Sequence, residues 1–236
     1  MNYLITGSSQ GIGKNIFENI DHYKNNFLLI GNKNIKSKKI NNIHRCKLDL
    51  NKYKKIVNPI NKFIKKFGSI DNVIMSAGTA GKLNNFENID FTNFEQVLRV
   101  NYLSNIFILK YLWKYFKNKR LTNIIIISSN TVKFIGSEKN FSYYFSKSIL
   151  ESQTLYLAKI GAKYNINVNL VRPGVVNTEM YKNVENYSKS NFKKRLSKIP
   201  RKIAIDKEEI TSLVKFLCSK NAKSISGNVF TISGGE

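Results

Sequence analysis

The chain has 236 residues, 42% of them apolar, and carries 39 Lys+Arg against 15 Asp+Glu for a net charge of +24. That length fits one α/β domain with a full core, and so apolar a chain with only 3 Pro excludes disorder. No run approaches the ~18 to 20 apolar residues of a membrane span. The positive charge is spread through Lys-, Asn- and Ile-rich sequence, with local clusters at Lys36-Ser37-Lys38-Lys39 and Lys193-Lys194-Arg195. It therefore reads as composition that modifies on-rates, and no nucleic-acid or membrane partner is expected. A strand that opens by Tyr3 leaves no room for a signal peptide, so a cytoplasmic location is expected. Cys46 and Cys218 form no CxxC pair and His22 lies far from His44, which predicts neither a metal site nor a disulfide.

A strand at Tyr3–Thr6 runs into Thr6-Gly7-Ser8-Ser9-Gln10-Gly11-Ile12-Gly13 and a helix at Ile12–His22. Three glycines spaced G-x-x-x-G-x-G between strand and helix suit a nucleotide phosphate. Gly7 permits the reversal, Gly11 lets backbone approach a pyrophosphate, and Gly13 lets the helix pack on the strand. The helix N-terminus then offers free N–H groups to the anion. Strands at Phe27–Ile30 and Ile43–Lys47 come next, with no apolar stripe for a full crossover helix between Gly31 and Asn42. A helix at Lys52–Phe67, a strand at Asn72–Met75 and a long helix at Thr92–Phe116 follow. The unbroken apolar strand Asn123–Ser128 fits a sheet centre covered on both faces. A helix at Ser142–Lys163, a strand at Asn167–Val171, a helix at Lys207–Ser219 and a strand at Val229–Ile232 complete the pattern. This alternation predicts one Rossmann-like, doubly wound domain over residues 1–236, a seven-stranded parallel sheet flanked by helices. The polar, basic stretch Thr178–Ile203, which carries Tyr181, Tyr187 and Phe192, is expected to be a substrate lid.

Tyr143 and Lys147 stand at i, i+4 and so share a helical face. A phenol of pKa ~10 is a poor acid–base group at neutral pH, and a nearby ammonium favours its phenolate. Tyr115-x-x-x-Lys119 matches the same pattern, but only Tyr143 follows a buried strand ending in Ser128-Ser129. Ser129 falls at the carboxyl edge of the sheet, where its hydroxyl could hold a carbonyl oxygen near the phenol.

Taken in order, these segments resemble the short-chain dehydrogenases/reductases over the whole chain, and in particular the 3-oxoacyl-acyl-carrier-protein reductases. The resemblance is carried by the glycine turn, Asp49-Leu50, Ser76-Ala77-Gly78, Val100-Asn101, Ser128-Ser129, Tyr143/Lys147, Arg172-Pro173-Gly174 with Thr178, and Ile225-Ser226-Gly227 with Gly234-Gly235. It implies that Tyr143 gives the proton and that Lys147 lowers its pKa and binds the nicotinamide ribose. Ser129 would orient the carbonyl, and Asn101 would hold a water leading from Lys147 to solvent. Asp49 would bind the adenine amino group, while Ala77 and Gly78 leave room for the adenosine ribose. Pro173, Gly174 and Thr178 would flank the nicotinamide. Ser9, Gln10, Ile12, Leu50, Ser76 and Val176 are expected to complete the cofactor site, and Asn130, Met180 and Tyr181 to join Ser129 and Tyr143 against the substrate. Lys193, Lys194 and Arg195 are expected to face solvent.

Two departures from the family pattern bear on the site. Ser76 stands where the family has Asn, and Ser129 precedes Tyr143 by 143 − 129 = 14 positions, one more than the family spacing. The family spacing falls on Asn130, which replaces a hydroxyl poorly. An insertion within Thr131–Phe141 restores Ser129. At the end of the second strand, Gly31 offers no carboxylate, and Asn32 and Lys33 can bind a 2′-phosphate, which favours NADP(H) over NAD(H); Gln10 argues the other way. The expected activity interconverts a ketone and a secondary alcohol, with a 3-oxoacyl thioester on a carrier or coenzyme A as first candidate. The alternatives are a sugar or other polar metabolite, or a non-catalytic nucleotide- or nucleic-acid-binding protein on the same fold. Tyr111, Trp113, Tyr115, Leu155 and Tyr156 exceed what one buried helix face needs, so a homodimer or homotetramer is expected.

Overall fold

In the computed structural model, which describes residues 1–34, 40–116, 121–182 and 188–236, seven strands form one parallel sheet. They are β1 (Asn2–Thr6), β2 (Asn26–Gly31), β3 (Ile43–Lys47), β4 (Asn72–Met75), β5 (Thr122–Ile127), β6 (Ile166–Pro173) and β7 (Val229–Ile232), in the order β3-β2-β1-β4-β5-β6-β7. Strands β1 and β5 are buried at every position, because helices cover both faces of the sheet. On one face Ile60 and Phe63 of α2 (Val57–Phe67), Ile108 and Leu112 of α4 (Ser104–Phe116), and Leu150 and Leu157 of α6 (Phe141–Gly161) pack over Leu4, Leu28 and Ile124. On the other, Ile16 and Phe17 of α1 (Gly11–Glu18) meet Ile210 and Val214 of α9 (Lys207–Leu217) over Ile5, Leu29 and Ile125. The basic cluster Lys36-Ser37-Lys38-Lys39, Lys119 of the second Tyr/Lys pair and Tyr187 lie outside the described residues.

The chain winds outward in both directions from β1 and β4, and a crevice opens where their carboxyl ends diverge. Thr6 Oγ1 accepts hydrogen bonds from the Ser76 and Ala77 amides, both at 3.1 Å, which ties the two strand ends together. Gly7 lies at φ +68°, and a Cβ there would sit 2.8 Å from Ala77 backbone. Only glycine makes this turn.

The strands fall within a residue or two of expectation, whereas several helices differ for physical reasons. The first helix ends at Glu18 rather than His22, and His22 instead stacks on Phe17 and contacts its carbonyl at 2.7 Å. The expected helix at Lys52 begins as a 3-10 turn, Leu50–Ile56, broken at Lys52, and α-helix starts at Val57. Pro59 is tolerated there because it falls in the first turn, where no intrahelical N–H is needed. The long helix expected at Thr92–Phe116 is α3 (Phe91–Leu98) and α4 joined by a π turn, Arg99–Leu103. The loop Thr131–Phe141 contains a short helix, α5 (Thr131–Phe134), followed by Ile135 and Gly136, both at positive φ.

The segment expected to be a substrate lid has secondary structure of its own. It carries α7 (Glu179–Lys182) and α8 (Lys189–Leu196), a buried Ile199, and a Tyr181–Phe192 edge contact at 5.0 Å. Of the apolar and aromatic residues expected to exceed core needs, Tyr111, Trp113 and Tyr115 pack against the core, while Leu155 and Tyr156 are exposed.

Candidate active site

A cleft of about 600 Å³ runs along the carboxyl ends of the strands, a size that suits a cofactor together with a small substrate. At one end Ser9, Gln10, Gly11 and Ile12 line it as the chain enters α1. Gln10 makes no side-chain cap, so the first N–H groups of α1 are left for an anion. Gly13 lies beneath the turn, its Cβ position 2.6 Å from the Gly7 carbonyl oxygen. Gly31, Asn32, Asp49, Leu50, Ser76, Ala77 and Gly78 continue the wall. Lys33 is exposed and does not line the cleft, which corrects its expected place beside Asn32. Asp49 is exposed and caps the next turn, accepting from the Asn51 amide at 2.9 Å.

The geometry fits a dinucleotide. Bare backbone lies where a flat ligand must approach closely: a Cβ on Gly78 would stand 3.3 Å from Lys147 Nζ and 3.6 Å from Met180 Cε. Pro173, Gly174, Val176 and Thr178 bound the same space from β6.

The reactive side chains gather where β5 ends. Lys147 is 3% exposed and its ammonium donates to the Ile127 carbonyl at 2.8 Å. Desolvation lowers its pKa to about 8. Its Nζ lies 5.8 Å from the Tyr143 ring centroid. Tyr143 is half-buried and faces the cleft, and the Ser129 hydroxyl hydrogen-bonds its phenol. Burial raises the Tyr143 pKa and the Ser129 bond opposes the rise only partly. In the ligand-free protein burial thus acts against the lowering expected from Lys147.

Ser129, not Asn130, meets Tyr143, and the α5 turn with Ile135 and Gly136 takes up the longer spacing. Asn101 is fully buried on the π turn. Its amide accepts from the Thr79 N–H at 2.8 Å and donates to the Thr79 carbonyl and to Ser146 Oγ, both at 2.9 Å. It does not line the cleft but fixes Thr79, which does. Thr79 has no sequence signal of its own, since its part depends on Asn101.

Beyond Tyr143 the cleft is closed by Asn130, Phe134, Asn140, Met180, Tyr181 and Arg195. Arg195, expected in solvent with Lys193 and Lys194, is turned inward and pairs with Glu236 at 2.5 Å. An apolar and aromatic counter-surface, Phe134, lies 5.2 Å beneath its guanidinium and rewards that orientation over full hydration.

Comparison with known proteins identifies the family. Residues 7–236 match the sequence profile of a family described as Enoyl-(Acyl carrier protein) reductase. A 3-oxoacyl-acyl-carrier-protein reductase of Buchnera aphidicola subsp. Acyrthosiphon pisum (strain APS) is 32% identical, over 98% of this chain and 95% of its own length. A short chain dehydrogenase family protein from Francisella tularensis subsp. tularensis SCHU S4 superposes with a TM-score of 0.87 at 30% identity, covering 99% of this chain and 97% of that one. The 3-ketoacyl-acyl-carrier-protein reductase of Brucella melitensis complexed with NADH superposes at a TM-score of 0.89, covering 99% and 97% of the two chains; at 20% identity it shows the fold alone.

Proposed function

The chain belongs to the short-chain dehydrogenase/reductase family, and on that premise we propose that it reduces 3-oxoacyl thioesters to 3-hydroxyacyl thioesters with NADPH. Oxidoreduction between a carbonyl and a secondary alcohol follows from the family. The acyl thioester is our reading; the carbonyl chemistry it needs is carried by the joining of Ser129, Tyr143 and Lys147 at one end of a dinucleotide-sized cleft. The Buchnera relative supports it.

Hydride chemistry comes from the bound dinucleotide. Ser9, Gln10 and Ile12 would hold its phosphates on the N-terminus of α1, Asn32, Ala77 and Gly78 would border the adenosine ribose, Asp49 and Leu50 the adenine, and Pro173, Gly174 and Thr178 its nicotinamide half. Ser129 donates to the substrate carbonyl and orients it toward the Tyr143 hydroxyl. Tyr143, protonated because burial disfavours its phenolate, gives its proton to the oxygen as negative charge develops there. Lys147 supplies positive charge at the same point, and Asn101 holds Thr79 and α6 in register with it.

A sugar or other polar ketone is the second reading. It is favoured by the amide side chains of Asn93, Gln96, Asn130 and Asn140 along the substrate end. A panel of 3-oxobutanoyl thioester, glucose and crotonyl thioester separates the readings. The first should give the highest kcat/KM, and a preference for the sugar would move the assignment.

NADPH should bind more tightly than NADH, because the end of β2 presents Asn32 and no carboxylate. A carboxylate at Gly31 is a poor test, since a Cβ there would lie 2.8 Å from the Ser9 side chain and disturb the phosphate turn. Asn32→Asp places the charge in the cleft instead. It should weaken NADPH relative to NADH by at least about tenfold in a fluorescence titration. Equal affinities in the unmodified protein would refute this preference.

Exposed Leu155 and Tyr156 on α6, 58% and 66% accessible, support a symmetric homo-oligomer, whether dimer or tetramer. Light scattering at micromolar concentration should give a multiple of 27.1 kDa, and a monomer mass would contradict it. The stretch from Thr178 to Ile203 is proposed to close over the substrate. Amides of α7 and α8 should exchange quickly in the free protein and slowly with NADPH and substrate bound. Equal protection in both states would make them a fixed part of the fold.

A further inference from the structure

Among the described residues two ion pairs are shielded from solvent, Arg172–Glu151 and Arg195–Glu236, and the second lines the cleft, its side chains 22% and 12% accessible. Glu236 is also anchored. The Glu236 backbone oxygen accepts from Asn130 Nδ2 at 3.2 Å and from Ser233 Oγ at 2.9 Å, and Asn130 Nδ2 lies 3.5 Å from Glu236 Oε2. Asn130 is 1% exposed and directly follows Ser129, which hydrogen-bonds Tyr143. The guanidinium lies over Phe134, 5.2 Å from the ring centroid. Asn130, Phe134, Arg195 and Glu236 thus form a continuous wall one residue beyond the reactive cluster, joining α8 to the segment after β7.

We propose that the Arg195–Glu236 ion pair is the end wall of the substrate pocket and restricts the enzyme to acyl groups with short chains. A long alkyl chain reaching this wall must either separate the two ions or cover them with methylenes. Each added methylene gains less by burial than the stripping of either ion costs. A short chain ends before the wall and leaves the pair intact. The acyl identity of the substrate rests on the function proposed above, but the length limit rests on the pair itself.

The test measures kcat/KM for 3-oxobutanoyl and 3-oxooctanoyl thioesters of N-acetylcysteamine, and in parallel for 2-butanone and 2-octanone. The unmodified enzyme should favour the short member by roughly tenfold or more. Arg195→Leu/Glu236→Leu, which replaces the ions by an apolar wall, should raise the long-to-short ratio by about tenfold. If neither thioester is reduced while the ketones are, the acyl assignment fails and the ketone ratio alone decides the wall. Equal or higher kcat/KM for the long member in the unmodified enzyme overturns the proposal. So does an unchanged ratio in a folded double variant; should that variant not fold, the unmodified enzyme's length profile decides.

Discussion

Tyr143→Phe should lower turnover by at least the ~10²-fold of general acid catalysis, while folding and dinucleotide affinity stay close to those of the unmodified protein. The substitution removes one hydroxyl and keeps the ring that faces Lys147. The Ser129 hydroxyl loses one partner, but it keeps the Thr131 amide as donor, lines the cleft and can turn to water. The loss should therefore fall on kcat more than on KM, as expected for a group that acts in the transition state. Tyr115→Phe should do little, because Tyr115 packs against the core at the end of α4, away from the cleft. Comparable turnover in the Tyr143→Phe and unmodified proteins would remove the proton donor from the mechanism.

Lys147 should show activity and stability moving in opposite directions. Its folded pKa, about 8, lies below the ~10.4 of an unfolded lysine because burial disfavours the ammonium. Between those values the unfolded chain binds more protons. Stability of the ligand-free protein should therefore rise as pH climbs from about 8 toward 10, and the full cost of burial is felt below that window. Lys147→Met removes the charge from a 3% exposed site. At neutral pH it should stabilise the ligand-free fold by up to on the order of 3 kcal/mol, less what the Ile127 carbonyl loses with its donor. Reductive turnover should fall at least ~10²-fold in the same variant. In the unmodified enzyme, reductive kcat/KM should decline above about pH 8 as Lys147 loses its proton. Denaturant midpoints and a pH–rate profile check both arms. A destabilised Lys147→Met at pH 7 would show that the ammonium is better solvated than its burial indicates.

The strands were legible because a buried parallel sheet needs unbroken apolar runs, and the runs ending at Thr6, Met75 and Ile127 stop against small or polar residues. The glycine turn was legible for the same kind of reason, since Gly7 cannot carry a Cβ. What escaped the sequence depends on contacts between distant segments. The π turn at Arg99–Leu103 has no propensity signal, and the hydrogen bonds Asn101 makes from it run to Thr79, 22 residues away. Lys193-Lys194-Arg195 looks like a solvated charge run, and nothing local separates Arg195 from its neighbours. Its inward turn needs Phe134 and Glu236, which arrive from other parts of the chain. The balance at Tyr143 is not legible either, because an i, i+4 lysine suggests a lowered pKa while burial of the phenol acts the other way.

Reduction of a 3-oxoacyl thioester in this cleft is measured by following NADPH absorbance and product mass together with 3-oxobutanoyl thioester as substrate. One 3-hydroxybutanoyl thioester should appear for each NADPH consumed. No consumption, or consumption only when crotonyl thioester is supplied and its double bond is reduced, would contradict it.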